Sequence, residues 1–246
     1  MKLGNDKGVY MKYQHIVKAI FRERPNRFIA YCEIGSEQYK VHVKNTGRCK
    51  ELLVPGAIVY LEQAQNPNRK TPYSLIAVEK EGQLINMDSQ APNEVVEEGL
   101  REGLIQLPFL SEALVHIKRE QIYGASRFDF YCETANQKLF IEVKGVTLEE
   151  KGIVYFPDAP TERGVKHIEE LIKAKKEGYQ TYILFVVQME KARYFTPNSL
   201  RDPIFARALI KASKAGVRVC AYTCQVEVDA LHIKAPLEVR LNEVIK

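Results

Sequence analysis

Two carboxylates and a lysine in the segment 126–147, SRFDFYCETANQKLFIEVKGVT, have the types and spacing that metal-assisted hydrolysis needs. Asp129 and Glu142 lie thirteen residues apart, and Lys144 follows Glu142 by two. Carboxylate oxygens suit Mg²⁺ or Mn²⁺, and a bound metal activates water and stabilises charge on a scissile phosphate. The ammonium of Lys144 would orient the water or offset negative charge in the transition state. The pattern indicates phosphodiester cleavage, with all three residues catalytic and both acids as metal ligands.

A β-hairpin is the element that must position these groups. The segment alternates in polarity on both sides of residues 134–137, which is typical of two half-buried strands and a turn. A four-residue turn there places Asp129 opposite Glu142, with Cβ atoms roughly 5 Å apart. Tyr131 then faces Phe140, and this aromatic pair supports the same register. Two carboxylates so close repel unless a proton or a cation lies between them. The alternative is a surface hairpin with solvated charges.

Length, composition and charge limit the class of protein. A chain of 246 residues with 46% hydrophobic and 27% charged residues is an ordinary globular protein of one or two domains. It shows no signal peptide and no apolar run long enough for a membrane, and its five scattered cysteines favour a reduced, cytoplasmic protein. Residues 1–85 carry 14 Lys and Arg against 8 Asp and Glu, whereas residues 86–246 carry 22 against 23. The basic front indicates a polyanion as partner.

The front domain, residues 1–85, has the pattern of a small β-barrel. About five short strands separated by Gly, Pro and Asn turns predict a five-stranded OB-like barrel. Such barrels bind nucleic acid through basic loops and aromatic side chains, and solvated loop charge is the alternative. The candidate nucleic-acid-binding residues are Lys44, Arg48, Lys50, Arg69, Lys70 and Tyr73.

The back domain, residues 86–246, begins with a predicted helix over 94–105, capped by Asn93 or Ser89. Its acidic first turns are explained by the helix dipole alone. Alternatively, Glu98 projects toward the hairpin as a third metal-binding and catalytic carboxylate.

A second helix, over 161–177, carries Arg163, Lys166 and His167 on one predicted exposed face near its N-terminus. A basic face at a helix N-terminus is suited to phosphate, as is Arg127 beside the hairpin, although solvated charge is again the alternative. From residue 94 the order is helix, three strands, helix, strand, helix, strand. This order predicts an α/β domain, α+β with the barrel included, whose mixed sheet is flanked by helices.

Several stretches together carry a family resemblance. The segments NTGRCKELLVPG, SRFDF, IEVKGVTL and YFPDAPTERGVKHIEEL resemble the sugar fermentation stimulation protein A family over nearly the whole chain. The resemblance implies an OB-like DNA-binding domain joined to a restriction-endonuclease-like PD-(D/E)xK domain, and a regulatory role in sugar metabolism. The nuclease motif maps onto Asp129, Glu142 and Lys144, with Glu98 as the helix acid. The motif's proline is replaced by Phe128.

Two functions are therefore predicted, and a third is weaker. The first is a Mg²⁺- or Mn²⁺-dependent nuclease acting on DNA, or alternatively on RNA or branched DNA. The second is a non-catalytic DNA-binding regulator of sugar (maltose) metabolism with a degenerate nuclease fold. A small-molecule sensor is the third, and no pocket signature supports it. No heptad run or repeat indicates an oligomeric state.

Overall fold

The computed structural model describes residues 11–45 and 47–241. The outer ends of the two predicted domains lie outside these ranges. Within them, no helix is long and apolar enough to cross a membrane.

The front of the chain forms a closed five-stranded barrel, as predicted. Its strands are β1 (Ile16–Asn26), β2 (Ile29–Ile34), β3 (Glu37–Val43), β4 (Ile58–Gln63) and β5 (Tyr73–Lys80). Neighbours pair antiparallel in the order β3-β2-β1-β4-β5, and a parallel pairing of β3 with β5 closes the barrel. A short strand, β6 (Gln83–Asn86), pairs with β5 and leads into the second domain. Alternating apolar side chains, such as Val41 and Leu61, are fully buried inside.

The back domain is a mixed sheet with helices on its faces, as predicted. In chain order its elements are α1 (Ala91–Arg101), β7 (His116–Tyr123), β8 (Ser126–Glu133), β9 (Lys138–Val146), β10 (Leu148–Glu150), β11 (Ile153–Phe156), α2 (Glu162–Lys176), β12 (Gln180–Val187), β13 (Tyr194–Pro197), α3 (Pro203–Lys214), β14 (Arg218–Val226) and β15 (Leu231–Leu237). The main sheet has the order β15-β14-β12-β9-β8-β7, and β9, β12 and β14 are parallel. A second, three-stranded sheet, β10-β11-β13, was not predicted because its strands have only three or four residues.

Helix α1 begins and ends earlier than predicted. Pro92 lies in its first turn, where a missing N–H costs nothing, and Gln90 is the N-cap, in place of Asn93 or Ser89. The helix ends two residues before Gly103, whose φ of +71° lies outside the helical region. Asn93 is therefore inside the first turn, and its side chain is available for another contact.

Buried polar contacts lock the barrel to the back domain. Lys80 on β5 donates to a carboxylate oxygen of Glu149 at 2.7 Å and to the Glu149 carbonyl at 2.8 Å. The amide nitrogen of Gln188 donates to Asn86 Oδ1 and to the Asp88 carbonyl, both at 2.9 Å. The partners of Lys80 and Gln188 in these contacts are buried, and the Lys80 side chain is only 18% exposed, so the contacts hold the two domains in one arrangement.

The Lys80–Glu149 pair gives a first prediction, on stability. Lys80→Met leaves a buried carboxylate without its cation, and we expect a loss of about 3 kcal/mol in the free energy of unfolding at pH 7. Burial opposes ionisation of Glu149, but the hydrogen bonds from Lys80 and from the Gly152 N–H outweigh it, so its pKa is lowered. A lowered pKa in the folded protein stabilises the fold at pH values above the pKa of the unfolded chain. This contribution is lost as the pH falls through the pKa of the folded protein. Urea denaturation at neutral and acidic pH measures both effects.

The double variant Lys80→Met/Glu149→Leu is the control. Removing both partners replaces an ion pair by apolar groups, and we expect most of the lost stability to return. A double variant no more stable than Lys80→Met, or a loss that persists unchanged at acidic pH, would contradict the assignment of this pair as a domain clamp.

Candidate metal centre

The hairpin formed by β8 and β9 has the predicted register. Tyr131 pairs with Phe140 and Phe130 with Ile141, and the backbone of residues 134–137 closes the turn with a 2.9 Å hydrogen bond. The backbone pairing ends at Phe130 and Ile141, one position before Asp129 and Glu142, and the charge of Glu142 still acts on Asp129. The N–H of Val143 donates to Asp129 Oδ2 at 2.8 Å, which holds the Asp129 carboxylate against β9.

Glu142 is buried, with 2% of its surface exposed, and its two oxygens are in different environments. Oε1 accepts hydrogen bonds from Lys144 Nζ and from the Nδ1–H of His167. Oε2 is buried and has no hydrogen-bond partner among the described residues. An unpartnered carboxylate oxygen in the interior is costly, so this atom marks a position where a cation or a water would be favoured.

The pKa values of Asp129 and Glu142 are shifted in opposite directions. Burial, and then the charge of Glu142, raise the pKa of Asp129. Burial also opposes ionisation of Glu142, but the hydrogen bond from His167 and the charge of Lys144 outweigh it and lower the Glu142 pKa. As pH falls, Asp129 therefore takes up a proton before Glu142 does.

Helix α1 contributes an amide to this site rather than the predicted carboxylate. Asn93 Nδ2 donates to Asp129 Oδ1 at 3.1 Å. Glu98 is five residues further on, about 140° around the helix axis, and so faces away. Its carboxylate interacts with the backbone of Met11, and burial raises its pKa to about 7. The structure does not bring Glu98 to Asp129 and Glu142, and in the described ranges no three His, Cys, Asp or Glu residues are grouped to hold a metal.

The prediction that His167 lies on an exposed face of α2 is wrong. Arg163 and Lys166 are exposed, but His167 is buried with 6% of its surface exposed. It lies three residues after Gly164 and four before Leu171, which are both buried, so its spacing matches the inward stripe of the helix. That spacing was the available signal for a buried His167. Its partner, Glu142, was not predictable without the packing of α2 on the sheet.

Three of the barrel residues that were predicted to bind nucleic acid contact other residues of the protein. Lys44 Nζ donates to Asp88 Oδ2 at 2.6 Å, and this carboxylate is buried. Arg69 Nη2 lies 3.1 Å from a ring nitrogen of His42, and Tyr73 packs edge-on against another tyrosine. These contacts give Lys44, Arg69 and Tyr73 a structural role.

The remaining predicted cations are exposed. Arg48 and Lys50 line a cleft between the barrel and the back domain, whereas Lys70 does not. Arg127 forms an exposed ion pair with Glu120 at 3.4 Å. Only Arg48 and Lys50 among the predicted barrel residues therefore share a concave surface with the back domain.

The acidic pair fits a hard divalent cation. Mg²⁺ keeps several waters and is commonly held by one or two carboxylates plus substrate phosphate, so two acids without a third are sufficient. Asp129 supplies carboxylate oxygens on one strand, and Glu142 supplies the unpartnered Oε2 on the next. All of these donors are oxygens, as this class of metal requires.

Comparison with known proteins agrees with this architecture. The family model "SfsA N-terminal OB domain" matches residues 23–87, and "Sugar fermentation stimulation protein RE domain" matches residues 90–230. The chain belongs to the sugar fermentation stimulation protein family. Homologues of that name from Ruminiclostridium cellulolyticum and Desulfitobacterium hafniense (strain DSM 10664 / DCB-2) are 52% and 50% identical to it. The alignments cover 94% and 95% of this chain and all of each relative.

A solved member of the family shares the fold. The Pyrococcus furiosus protein, described as SfsA in complex with Ca²⁺, superposes with a TM-score of 0.84 at 31% identity. The match covers 94% of this chain and 98% of that one, so it includes both the barrel and the mixed sheet. The predicted fold class and the resemblance of the sequence to this family are both confirmed.

Proposed function

We propose that the protein is a Mg²⁺- or Mn²⁺-dependent nuclease that hydrolyses phosphodiester bonds in DNA. One observation carries the proposal: the charges of Asp129 and Glu142, on adjacent strands, are close enough to interact, and Glu142 keeps a buried oxygen without a hydrogen-bond partner among the described residues. The Ca²⁺ in the Pyrococcus furiosus relative supports a site for a hard cation in the family. The five cysteines of this chain, all free and buried, fit a reducing cytoplasm.

Asp129 and Glu142 would hold the metal, and Glu98 would not. When bound, the ion would supply an acidified water and positive charge next to the scissile phosphate. The pKa of Asp129 is raised by burial and then by the charge of Glu142, so ionising Asp129 beside Glu142 is costly. A bound metal would reduce this cost and lower the pKa of Asp129.

Lys144 is the third catalytic group in this proposal. Its ammonium contacts Glu142, and its side chain keeps 16% of its surface exposed. An ammonium has three donors, so donation to Glu142 leaves two for an incoming phosphate or a water. Lys144 would thus offset charge that develops on the phosphate while Asn93 and His167 keep the two carboxylates in place.

A second function is favoured by the same contacts. Lys144 and His167 already compensate the charge of Glu142 without a metal, as a site that has lost catalysis would do. The alternative is therefore a DNA-binding regulator of sugar (maltose) metabolism whose nuclease domain is inactive. It predicts DNA binding that falls steeply with salt and is unchanged by a chelator.

The test separates these functions with Lys144→Met, which removes the ammonium and keeps both acids. We expect the wild type to cut one or more of single-stranded, duplex and branched DNA or RNA when Mg²⁺ or Mn²⁺ is added. Lys144→Met should be slower by about 10²- to 10³-fold, the usual cost of one preorganised charge, and should bind Mn²⁺ at least as tightly because a competing cation is gone. No cleavage by the wild type on any substrate, with DNA binding intact, would favour the regulator.

A further inference from the structure

A cleft of about 890 Å³ lies between the barrel and the back domain. One wall is formed by the tip of the β1–β2 hairpin and the loop that follows β3. The other is formed by residues 145–148 and 155–161, which include the start of the three-stranded sheet and the approach to α2. Neither domain contains this surface alone, so the arrangement of the domains creates it.

The cleft is positively charged. Five Arg and Lys side chains line it against two acids, Glu23 and Asp158. Arg27, Arg48 and Lys50 are exposed, and none of them has an ion-pair partner in residues 11–45 and 47–241. Three uncompensated cations in one concavity favour a polyanion, because low-dielectric walls strengthen the field between them.

The barrel wall of the cleft is held rigid by Arg24. Its guanidinium donates to the carbonyls of Arg27, Asn45, Gly47 and Arg48 at 2.6 to 2.9 Å. The Arg48 N–H donates to Asp158 Oδ2 at 2.7 Å across the cleft. The exposed side chains of Arg27 and Arg48 are thus attached to a fixed backbone, so a ligand would not have to order this loop.

The back wall of the cleft includes the end of the strand that carries Glu142 and Lys144. Gly145 lines the cleft and directly follows Lys144 on β9. A Cβ at this position would lie 2.6 Å from Gln188 Oε1 and 2.9 Å from Pro92, so only glycine allows the close packing seen there. Asp129, Glu142 and Lys144 do not themselves line the cleft, which reaches β9 at the residue after Lys144.

We infer that the cleft binds one strand of nucleic acid and leads it to Asp129 and Glu142. A volume of about 890 Å³ is that of a small-molecule pocket, roughly 300–1,000 Å³, which admits a few nucleotides. A duplex is much bulkier than this space, since its major groove alone is about 12 Å wide. Tyr155, partly exposed on the back wall, offers a ring for base stacking beside the cations, the combination that single-strand binding uses. The inference rests on the proposed function only for the position of the cleaved bond.

Binding to the wild-type protein in the presence of a chelator tests the inference without cleavage. The probes are fluorescein-labelled oligothymidylate, oligouridylate and a blunt duplex, followed by fluorescence anisotropy over a range of salt. We expect both single strands to bind more tightly than the duplex, and their relative affinities distinguish DNA from RNA. Arg27→Glu/Arg48→Glu should weaken single-strand binding tenfold or more and reduce the slope of log K against log salt by about 1.4, for two lost phosphate contacts.

Two sets of matched variants make the test specific. Lys40→Glu/Lys211→Glu makes the same change in net charge at exposed lysines outside the cleft, and we expect less than a twofold effect. Tyr155→Leu should weaken binding about tenfold, and Tyr155→Phe, which keeps the ring, should not. Equal losses in the two charge-reversal variants would overturn the inference. So would a duplex that binds more tightly than the strands through Arg27 and Arg48.

The two proposals fail in different ways. If the strands bind through the cleft and no metal supports cleavage, the binding site stands and the nuclease does not. If cleavage is strong and Arg27→Glu/Arg48→Glu changes neither binding nor cleavage, the nuclease stands and the cleft is not its substrate channel.

Discussion

Glu142→Gln is expected to abolish cleavage, by at least about a thousandfold, and to remove the binding of Mn²⁺. Glutamine has the shape of glutamate, but one carboxylate oxygen becomes an amide nitrogen that cannot ligate a cation. If that nitrogen occupies the Oε1 position, it faces the donors of Lys144 and His167. If it occupies the Oε2 position, it removes the oxygen that has no other partner. The first orientation opposes two hydrogen-bond donors with a third, and the second removes the metal ligand. Initial rates and calorimetric titration measure the loss of cleavage and of metal binding.

Glu149→Gln is the matched control for this prediction. Glu149 is also a buried glutamate with a lysine partner, with 5% of its surface exposed against 2% for Glu142, but it lies at the domain contact. Both variants lose hydrogen bonds to a charged group, and we expect each to be less stable by about 1–3 kcal/mol. Only Glu142→Gln should lose metal binding and cleavage. Equal loss of cleavage in both variants at matched folded fractions would assign the effect to stability.

The hairpin at the centre of this site was predictable because its information is local. Alternation and a four-residue turn fix the register of β8 with β9, and a period of two sets which side chains share a face. The barrel was predictable for the same reason, since its short strands are separated by strong turn residues. Local pattern thus placed Asp129, Glu142 and Lys144 together before any tertiary contact was considered.

The residues that support the site depend on packing, which a local pattern does not specify. Asn93 reaches Asp129 only because α1 begins at Ala91. The predicted start at residue 94, three residues later, would have made Asn93 a cap. Glu98 was proposed as a ligand from its apolar flanks, yet the phase of the helix turns it away. His167 lies on the inward stripe of α2, but its contact with Glu142 depends on where that helix crosses the sheet.

Asp129→Asn is expected to change stability in opposite directions with and without metal. Because burial and the charge of Glu142 raise the Asp129 pKa, the folded protein holds this proton more tightly than the unfolded chain. This extra stability is therefore present at low pH. It is lost as the pH rises from about 3.9, the pKa of aspartate in the unfolded chain, through the pKa of Asp129 in the folded protein. Asparagine carries no charge, so at neutral pH without metal the variant should be more stable, by about 1 kcal/mol.

Added Mg²⁺ should reverse that order. A ligand that binds only the folded state stabilises it by about 2.7 kcal/mol at one hundred times its dissociation constant. The wild type should gain this stabilisation, and Asp129→Asn should gain much less, because it keeps one carboxylate of the pair. Thermal denaturation with a chelator and with saturating Mg²⁺, for both proteins and across pH, measures the crossover.

Asp88→Asn makes the same substitution at a buried aspartate that contacts a cation instead of another acid. Its carboxylate accepts from Lys44 at 2.6 Å, so removing the charge should destabilise the protein, with or without Mg²⁺. Asp129→Asn and Asp88→Asn should thus change stability with opposite signs in chelator. The sign of the stability change depends on whether the nearest charge repels or attracts the carboxylate. Repulsion between Asp129 and Glu142 is also what makes this pair a candidate metal site. A metal-free Asp129→Asn protein that is less stable than the wild type, or equally stabilised by Mg²⁺, would show that the pair is compensated internally and does not require a cation.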